Sequence, residues 1–245
     1  MELLEALALP AEGWTCLVGG GGKSSLMLRL MGERAGRGLP ALAATTTHIG
    51  VEQGRAAGPL VGTLEKLEAA RRAGLTACAA GTEPETGKLT APPPEVLDRG
   101  LSLFGFGVVE ADGSKRLPMK APADHEPCLI PGCAAVVAVA GLSALGRPLG
   151  ETCHRSHLAC ALLGVGPETA VTPALLARLL THEAGQFKGV GDPKKFRVLL
   201  NQADGPEELA LARETARDIQ IWLPGTRVVA AALREKECVK EVFVC

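Results

Sequence analysis

The sequence predicts a three-layer α/β fold: a mostly parallel sheet covered by helices on both faces. Three observations carry this expectation. Apolar runs at 14–18, 39–44, 106–109, 134–140 and 196–200 are continuous rather than alternating, as in parallel strands buried on both sides. Helical patterns separate the runs, the order that wraps a sheet on two faces. The first run empties into Gly19-Gly20-Gly21-Gly22-Lys23-Ser24-Ser25, directly ahead of a helical pattern. Strand, glycine loop, Lys-Ser and helix is how a phosphate-binding loop is built, so the expected fold is P-loop NTPase-like.

Taken in order, residues 1–10 read as a short helix stopped by Pro10, and 14–18 as the first strand. The first long helix runs over 23–35, with Leu26, Met27, Leu30 and Met31 on one face, and Gly36 and Gly38 close it. A charged amphipathic helix at 63–73, a small strand at 75–80, a turn-rich link at 87–94 and a helix at 94–103 precede the strand at 106–109. Residues 114–133 carry four prolines and read as irregular; so long a loop in a compact domain is usually functional. Helices are expected at about 151–163 and 173–182, a strand at 196–200, a helix at 206–219 and a strand at 226–231. The alternating run at 239–244 suits an edge strand. No repeat or linker divides the chain, so one domain over 1–245 is expected, with 141–195 as a candidate small helical lobe.

Composition narrows the function classes. Hydrophobic residues make up 47% and charged residues 22% of the 245, which specifies an ordered globular chain. A formal net charge of −1 and only 3% aromatics, with no tyrosine, argue against nucleic acid or an anionic membrane as partner. No signal-peptide layout and no membrane-length apolar run is present, so a cytoplasmic protein is expected. The eight cysteines, Cys16, Cys78, Cys128, Cys133, Cys153, Cys160, Cys238 and Cys245, include no CxxC pair and read as free thiols acting as small hydrophobes.

In the glycine loop, Gly19, Gly20, Gly21 and Gly22 allow backbone N–H groups to face phosphates, with Ser25 in the first turn behind them. Lys23 reaches terminal phosphates, and Ser24 offers a hydroxyl to Mg²⁺. The common loop has a glycine where this chain has Leu17, so the match is to the short Gly-x-x-Gly-Lys-Ser form. That short form is similar to the loop of Mur ligases and folylpolyglutamate synthetases. A dinucleotide fingerprint fits worse, because Ser24 stands where glycine or alanine is needed and no acid follows the second strand.

Glu110 and Asp112 end a buried strand, at the edge where a carboxylate can hold Mg²⁺ opposite Ser24. Glu110 is nearer the strand and is the first choice for the metal; Asp112 can instead act as a base on an attacking group. Thr45, Thr46 and Thr47 bring hydroxyls to the same edge, with Thr46 a further candidate for the metal or the γ-phosphate. Asn201-Gln202-Ala203-Asp204 resembles the Asn-Lys-x-Asp base-recognition motif of GTPases, with Gln202 in place of the lysine that covers the base. Asn201 and Asp204 are therefore candidate nucleotide contacts. Lys120, His125 and Glu126, in the proline-stiffened loop, are candidates for binding an anionic substrate or moving protons. His154 and Arg155 join them; Cys153 and His157 give only two possible metal ligands, too few for a site. Lys188 reads as a solvated loop cation.

Together these blocks resemble the YqeC-like selenium cofactor biosynthesis family, accessory to selenium-dependent molybdenum hydroxylases. The residues that carry the resemblance are Val18-Gly-Gly-Gly-Gly-Lys-Ser, the three threonines, Val109-Glu-Ala-Asp-Gly-Ser114, and Lys120-Ala-Pro-Ala-Asp-His-Glu-Pro127. Gly141-Leu-Ser-Ala-Leu-Gly-Arg-Pro-Leu149, His154-Arg155 and Leu200-Asn-Gln-Ala-Asp204 complete it. Ser24 stands where the family often has threonine, and Gln202 where lysine is usual. The resemblance implies a role in maturing a selenium-dependent molybdenum hydroxylase, with that enzyme or its maturation proteins as partners.

The expectation is thus a Mg²⁺-dependent protein binding ATP, or alternatively GTP, that hydrolyses the nucleotide or transfers its phosphoryl group, with Lys23 and Asp112 catalytic. A nucleotide-gated assembly factor that inserts a cofactor into a partner enzyme is the second reading. A Mur-like ATP-dependent ligase is the third, and the lack of a separate ligase domain counts against it.

Overall fold

The structure, a computed structural model, describes residues 1–83 and 87–244 of the chain; Cys245 lies outside the described residues. The N-terminal half contains α1 (Leu3–Ala6), β1 (Gly13–Gly19), α2 (Lys23–Gly36), β2 (Ala41–Thr45), β3 (Ile49–Gly50), α3 (Val51–Ala57), β4 (Leu60–Val61), α4 (Leu64–Ala73) and β5 (Thr76–Ala79). Next come β6 (Gly81–Glu83), β7 (Lys88–Thr90), α5 (Pro94–Phe104), β8 (Phe106–Glu110), β9 (Met119–Lys120) and β10 (Ala135–Gly141). The rest is α6 (Leu149–Thr152), β11 (Cys153–His154), α7 (Ser156–Leu163), α8 (Pro173–Thr181), β12 (Phe196–Asn201), α9 (Pro206–Trp222), β13 (Arg227–Ala231) and β14 (Val239–Phe243).

Among the described residues nine strands form the main sheet, in the order β14-β13-β12-β10-β1-β8-β2-β5-β4. Its pairings are parallel except for β14, which runs antiparallel along the edge. β1 lies near the middle between β10 and β8, so the glycine loop and the acids of β8 emerge side by side. Alternate residues of each strand feed two apolar layers. Leu17, Val108, Val137 and Leu199 pack with Leu26, Met27 and Leu30 of α2 on one face. Cys16, Val18, Val109 and Val198 pack with Val96, Leu176, Leu179 and Ile219 on the other. The helical stretch within 141–195 shares this second layer through Leu149, Ala159, Leu176 and Leu180. The described residues therefore form a three-layer α/β fold of the P-loop type.

Several elements differ from the sequence expectation. The helix expected over 151–163 is broken: Cys153 and His154 pair in parallel with Met119 and Lys120, and Arg155 adopts φ +59°. Strand pairing to the proline-rich loop overrides helix propensity there. Helix α3 and strand β7 were not expected; α3 is seven residues long and contains Gly54, which hides its period. Residues 1–10 hold only four helical residues, whose first amides Leu3 and Leu4 donate to the Glu33 carboxylate at 2.8 and 2.9 Å. Helix α2 buries Arg34, whose guanidinium lies 4.7 Å over the Phe106 ring and donates to the carbonyls of Ala11 and Pro40.

Gly107, the second residue of β8, shows how tightly the layers close. A Cβ there meets Trp14 ring atoms at 2.2 Å. Gly107→Ala is expected to lower unfolding free energy by about 1–3 kcal/mol through overpacking, read as a drop in the denaturant midpoint with unchanged slope.

Candidate functional site

The site begins where β1 stops. Gly19 adopts φ +94°, and a Cβ on it meets the Val139 carbonyl oxygen at 2.3 Å, so only glycine lets β1 turn so close to β10. Gly22 adopts φ +144° and lies against the Asn201 amide, which a Cβ meets at 2.5 Å. The loop amides divide into two groups. The N–H groups of Gly19, Gly20 and Gly21 are spent inside the protein: on Asp112 Oδ2 (2.9 Å), Val139 O (2.9 Å) and Leu117 O (3.0 Å). Leu26 N–H makes the first helical bond, to Gly22 O. The amides of residues 22–25 therefore form the open donor end of α2, where the helix dipole is positive.

Lys23 is 4% exposed. Its ammonium donates to the Gly19 carbonyl and lies 3.0 Å from Asp112 Oδ1. Asp112 is 1% exposed and also takes Lys120 Nζ at 3.3 Å. Lys120 Nζ reaches Glu126 Oε2 at 2.9 Å, and Glu126 in turn is bonded to the Arg155 guanidinium and to Ala123 N–H at 3.2 Å. One chain of alternating charges thus runs Lys23, Asp112, Lys120, Glu126, Arg155, from the glycine loop to the start of α7. Burial pulls the Lys120 ammonium below its ordinary pKa, against the pull of Asp112 and Glu126. Burial pushes the Glu126 carboxyl upward, but the Lys120 hydrogen bond, the Ala123 amide and Arg155 outweigh it and hold it low. Burial, with Arg155 and Lys120 nearby, lowers the His154 pKa.

Glu110 occupies the end of β8 and pairs with Leu17 on one side and Thr45 on the other. Its carboxylate lies near the Ser24 hydroxyl, while Oε1 is buried without a hydrogen-bond partner. Burial raises its pKa; Lys23 and Ser24 pull it back down, and Asp112 adds to the rise. Thr46 does not turn its hydroxyl donor to this carboxylate: it donates to Cys128 O at 2.7 Å, and its amide holds Glu110 O at 3.0 Å. Asn201 bridges two loops, donating to Gly21 O at 2.7 Å and accepting from Leu233 N–H at 3.1 Å. Asp204 is exposed at the same strand end, and His125 is exposed on the proline-rich loop, outside the ion chain.

Three participants escaped the sequence reading. Gln53 of α3 donates to Ser24 Oγ at 2.8 Å while its own oxygen caps Gly50 N–H at 2.9 Å. A Gly-x-x-Gln capping pattern was the available signal. Buried Gln186 donates to the Lys120 carbonyl at 2.6 Å. Lys188 is no solvated cation: its ammonium bonds the carbonyls of Ala123 and Asp124, both at 2.9 Å. Among the described residues no group of three or more His, Cys, Asp or Glu is placed to hold a metal by itself. No helix there is long and apolar enough to cross a membrane.

The arrangement of loop, acids and basic chain can be set beside known proteins. The protein YqeC of Escherichia coli (strain K12) is 31% identical over 219 residues, covering 84% of this chain and 85% of the relative. The hydrogenase maturation factor HypB from Archaeoglobus fulgidus superposes with a TM-score of 0.43 at 13% identity, over 95% of this chain and 87% of that one. A likeness that distant transfers no function. The family model described as YqeC protein matches residues 15–157, which takes in the glycine loop, both acids of β8 and the whole ion chain to Arg155. The chain belongs to the YqeC protein family.

Proposed function

We propose that this protein binds a nucleoside triphosphate with Mg²⁺ at the glycine loop and hydrolyses it or transfers its phosphoryl group. The observation that carries the reading is the orphaned, buried Oε1 of Glu110 beside the Ser24 hydroxyl and the Lys23 ammonium. An unpaired buried acceptor is costly unless something binds it. Mg²⁺ suits this donor set, because it needs only one or two protein oxygens when phosphates and water supply the rest. Ser24 and Glu110 would hold the metal, with Thr46 beside them; the metal would supply charge neutralisation between the phosphates.

The residues of the chain divide the remaining work. The amides of residues 22–25 receive phosphate oxygens at the positive end of α2, and Gly19, Gly20 and Gly21 shape the turn that presents them. Lys23 leaves the Gly19 carbonyl to take a terminal phosphate oxygen, and Asp112 stays behind to orient it. Asp112 is held by Lys23, Lys120 and Gly19 N–H, which suits orienting better than taking a proton, and revises its expected role as a base. Asn201 fixes the loop, leaving Asp204 as the group for a base, with ATP or GTP as the ligand. Lys120, Glu126, His154 and Arg155 line the path to an anionic second substrate, with His125 at its rim. The sequence resemblance implies a maturation role, here proposed as acting on a selenium-dependent molybdenum hydroxylase or its maturation proteins. The assembly-factor reading differs in one outcome: hydrolysis then accelerates on adding the partner enzyme and not on adding a small anionic acceptor.

Titration calorimetry with Mg-ATP and Mg-GTP is expected to show binding of one of them, weakened about 10- to 100-fold in Lys23→Ala, the loss of one charge-assisted contact. Equal affinity in the variant, with its fold intact by circular dichroism, removes Lys23 from the site.

Glu110 gives a test with no turnover in it. Its raised pKa means that the folded state holds this proton more tightly than the unfolded state. The stability it lends is present at low pH and is lost as pH rises from the ordinary carboxyl value through the folded one. Glu110→Gln is therefore expected to be more stable than wild type at pH 7 without metal. Added Mg²⁺ with nucleotide then stabilises wild type more than the variant. A variant less stable than wild type at pH 7 would show that the carboxylate is already well paired.

A further inference from the structure

Among the described residues, five that are not glycine adopt positive φ, and four of them surround the candidate site. They are Lys115 (+48°), Arg116 (+63°), Arg155 (+59°) and Gln202 (+70°). Lys115 and Arg116 are consecutive, and they are the two central residues of a turn that Leu117 N–H closes on Ser114 O at 3.0 Å. Positive φ at both centres makes this a type I′ turn, which favours Asn-Gly or a similar pair. Two long cationic side chains strain it, and strain of this kind gathers at functional sites.

The turn is fastened to the glycine loop. Leu117 O accepts Gly21 N–H at 3.0 Å, and a Cβ on Gly20 would meet the same oxygen at 2.5 Å. Pro118 O accepts Gly141 N–H, at the end of β10, at 2.9 Å. Consecutive Cα atoms stand about 3.8 Å apart, so Arg116 is one residue from a direct contact with the loop and its long side chain can reach an anion seated there. The other cations of the site are already balanced: Lys23 by Asp112, Lys120 by Asp112 and Glu126, and Arg155 by Glu126. Lys115 and Arg116 are exposed, and among the described residues neither side chain makes an ion pair or a hydrogen bond. The charge of Lys115 is felt at His154, on the side of the ion chain.

We propose that Arg116 binds the terminal phosphate of a nucleotide seated at the glycine loop, its backbone held in place for that contact by the strained Ser114–Leu117 turn. The inference rests on nucleotide binding at that loop and goes beyond it, naming a residue that tells a triphosphate from a diphosphate. A guanidinium fork matches two phosphate oxygens. Lys23 must leave Gly19 and Asp112 to reach phosphate, whereas Arg116 gives up no protein contact. A turn already shaped also lowers the ordering cost of binding. An Asn-Gly turn would fold more easily but would present no cation.

The test is titration calorimetry, with Mg²⁺, of a non-hydrolysable triphosphate and of the matching diphosphate, in adenine and guanine forms. Arg116→Gly removes the side chain and releases the strain, so its denaturant midpoint is expected to rise above that of wild type. Its triphosphate affinity is nevertheless expected to fall about tenfold or more, the loss of a charge-assisted contact, with diphosphate affinity changed less than about twofold. Arg116→Lys is expected to recover part of the triphosphate affinity. Equal weakening of both nucleotides would make the turn a mere support for the loop backbone, and weakening of neither would leave Arg116 without a ligand; each overturns the proposal. A lower midpoint in Arg116→Gly overturns the strained turn. Wild type that binds no nucleotide overturns the glycine-loop reading and this inference with it, an outcome distinct from binding that is indifferent to Arg116.

Discussion

The Asp112 carboxylate is the constraint on which the site depends. It is buried one turn of backbone beyond β8, yet it accepts the Gly19 amide and faces both Lys23 and Lys120. A lone buried carboxylate would be strongly unfavourable; two ammonium groups and an amide compensate it. The same contacts set the geometry. The Gly19 bond fixes where β1 turns, the Lys23 contact draws its side chain back along the loop, and the Lys120 contact draws the proline-rich loop over the sheet edge. Removing Asp112 would leave two buried cations facing each other, so fold and site are tied at one residue.

The chain of charges gives the site a direction. Lys23 stands where a terminal phosphate would arrive, and Arg155, partly exposed, stands where the chain reaches solvent. Arg155 is held in a left-handed conformation by the β11–β9 pairing that precedes it and by α7, which begins behind it. Backbone strain of this kind persists where surrounding structure over-determines it. A phosphate that withdraws Lys23 from Asp112 would leave Lys120 as the cation facing Asp112, beside the Gly19 amide, and so alter the charge balance felt at Glu126. The loop bearing Lys120 and Glu126 is thereby joined to the glycine loop through ion pairs as well as through the Gly21 N–H bond to Leu117 O.

Much of this was legible in the sequence, for physical reasons. Continuous apolar runs reveal parallel strands because both faces are covered, and glycines at a strand end reveal a turn no other residue permits. Glu110 and Asp112 were found because acids at the end of an apolar run are exceptional. What stayed hidden depends on pairing between distant segments. Nothing local marks Cys153 and His154 as a strand, since their partner is the loop at Met119 and Lys120. Gln53 and Gln186 were hidden because one amide among many polar residues has no pattern; only the fold aims them.

The central claim is that Lys23, Ser24 and Glu110 hold a Mg-nucleotide. A crystal structure with Mg²⁺ and a non-hydrolysable triphosphate tests it most directly. The account predicts terminal phosphates on the amides of residues 22–25, Lys23 Nζ moved from the Gly19 carbonyl onto phosphate, and a metal joined to Ser24 and Glu110. A nucleotide bound elsewhere, with Lys23 still on Gly19 and Asp112, would contradict it.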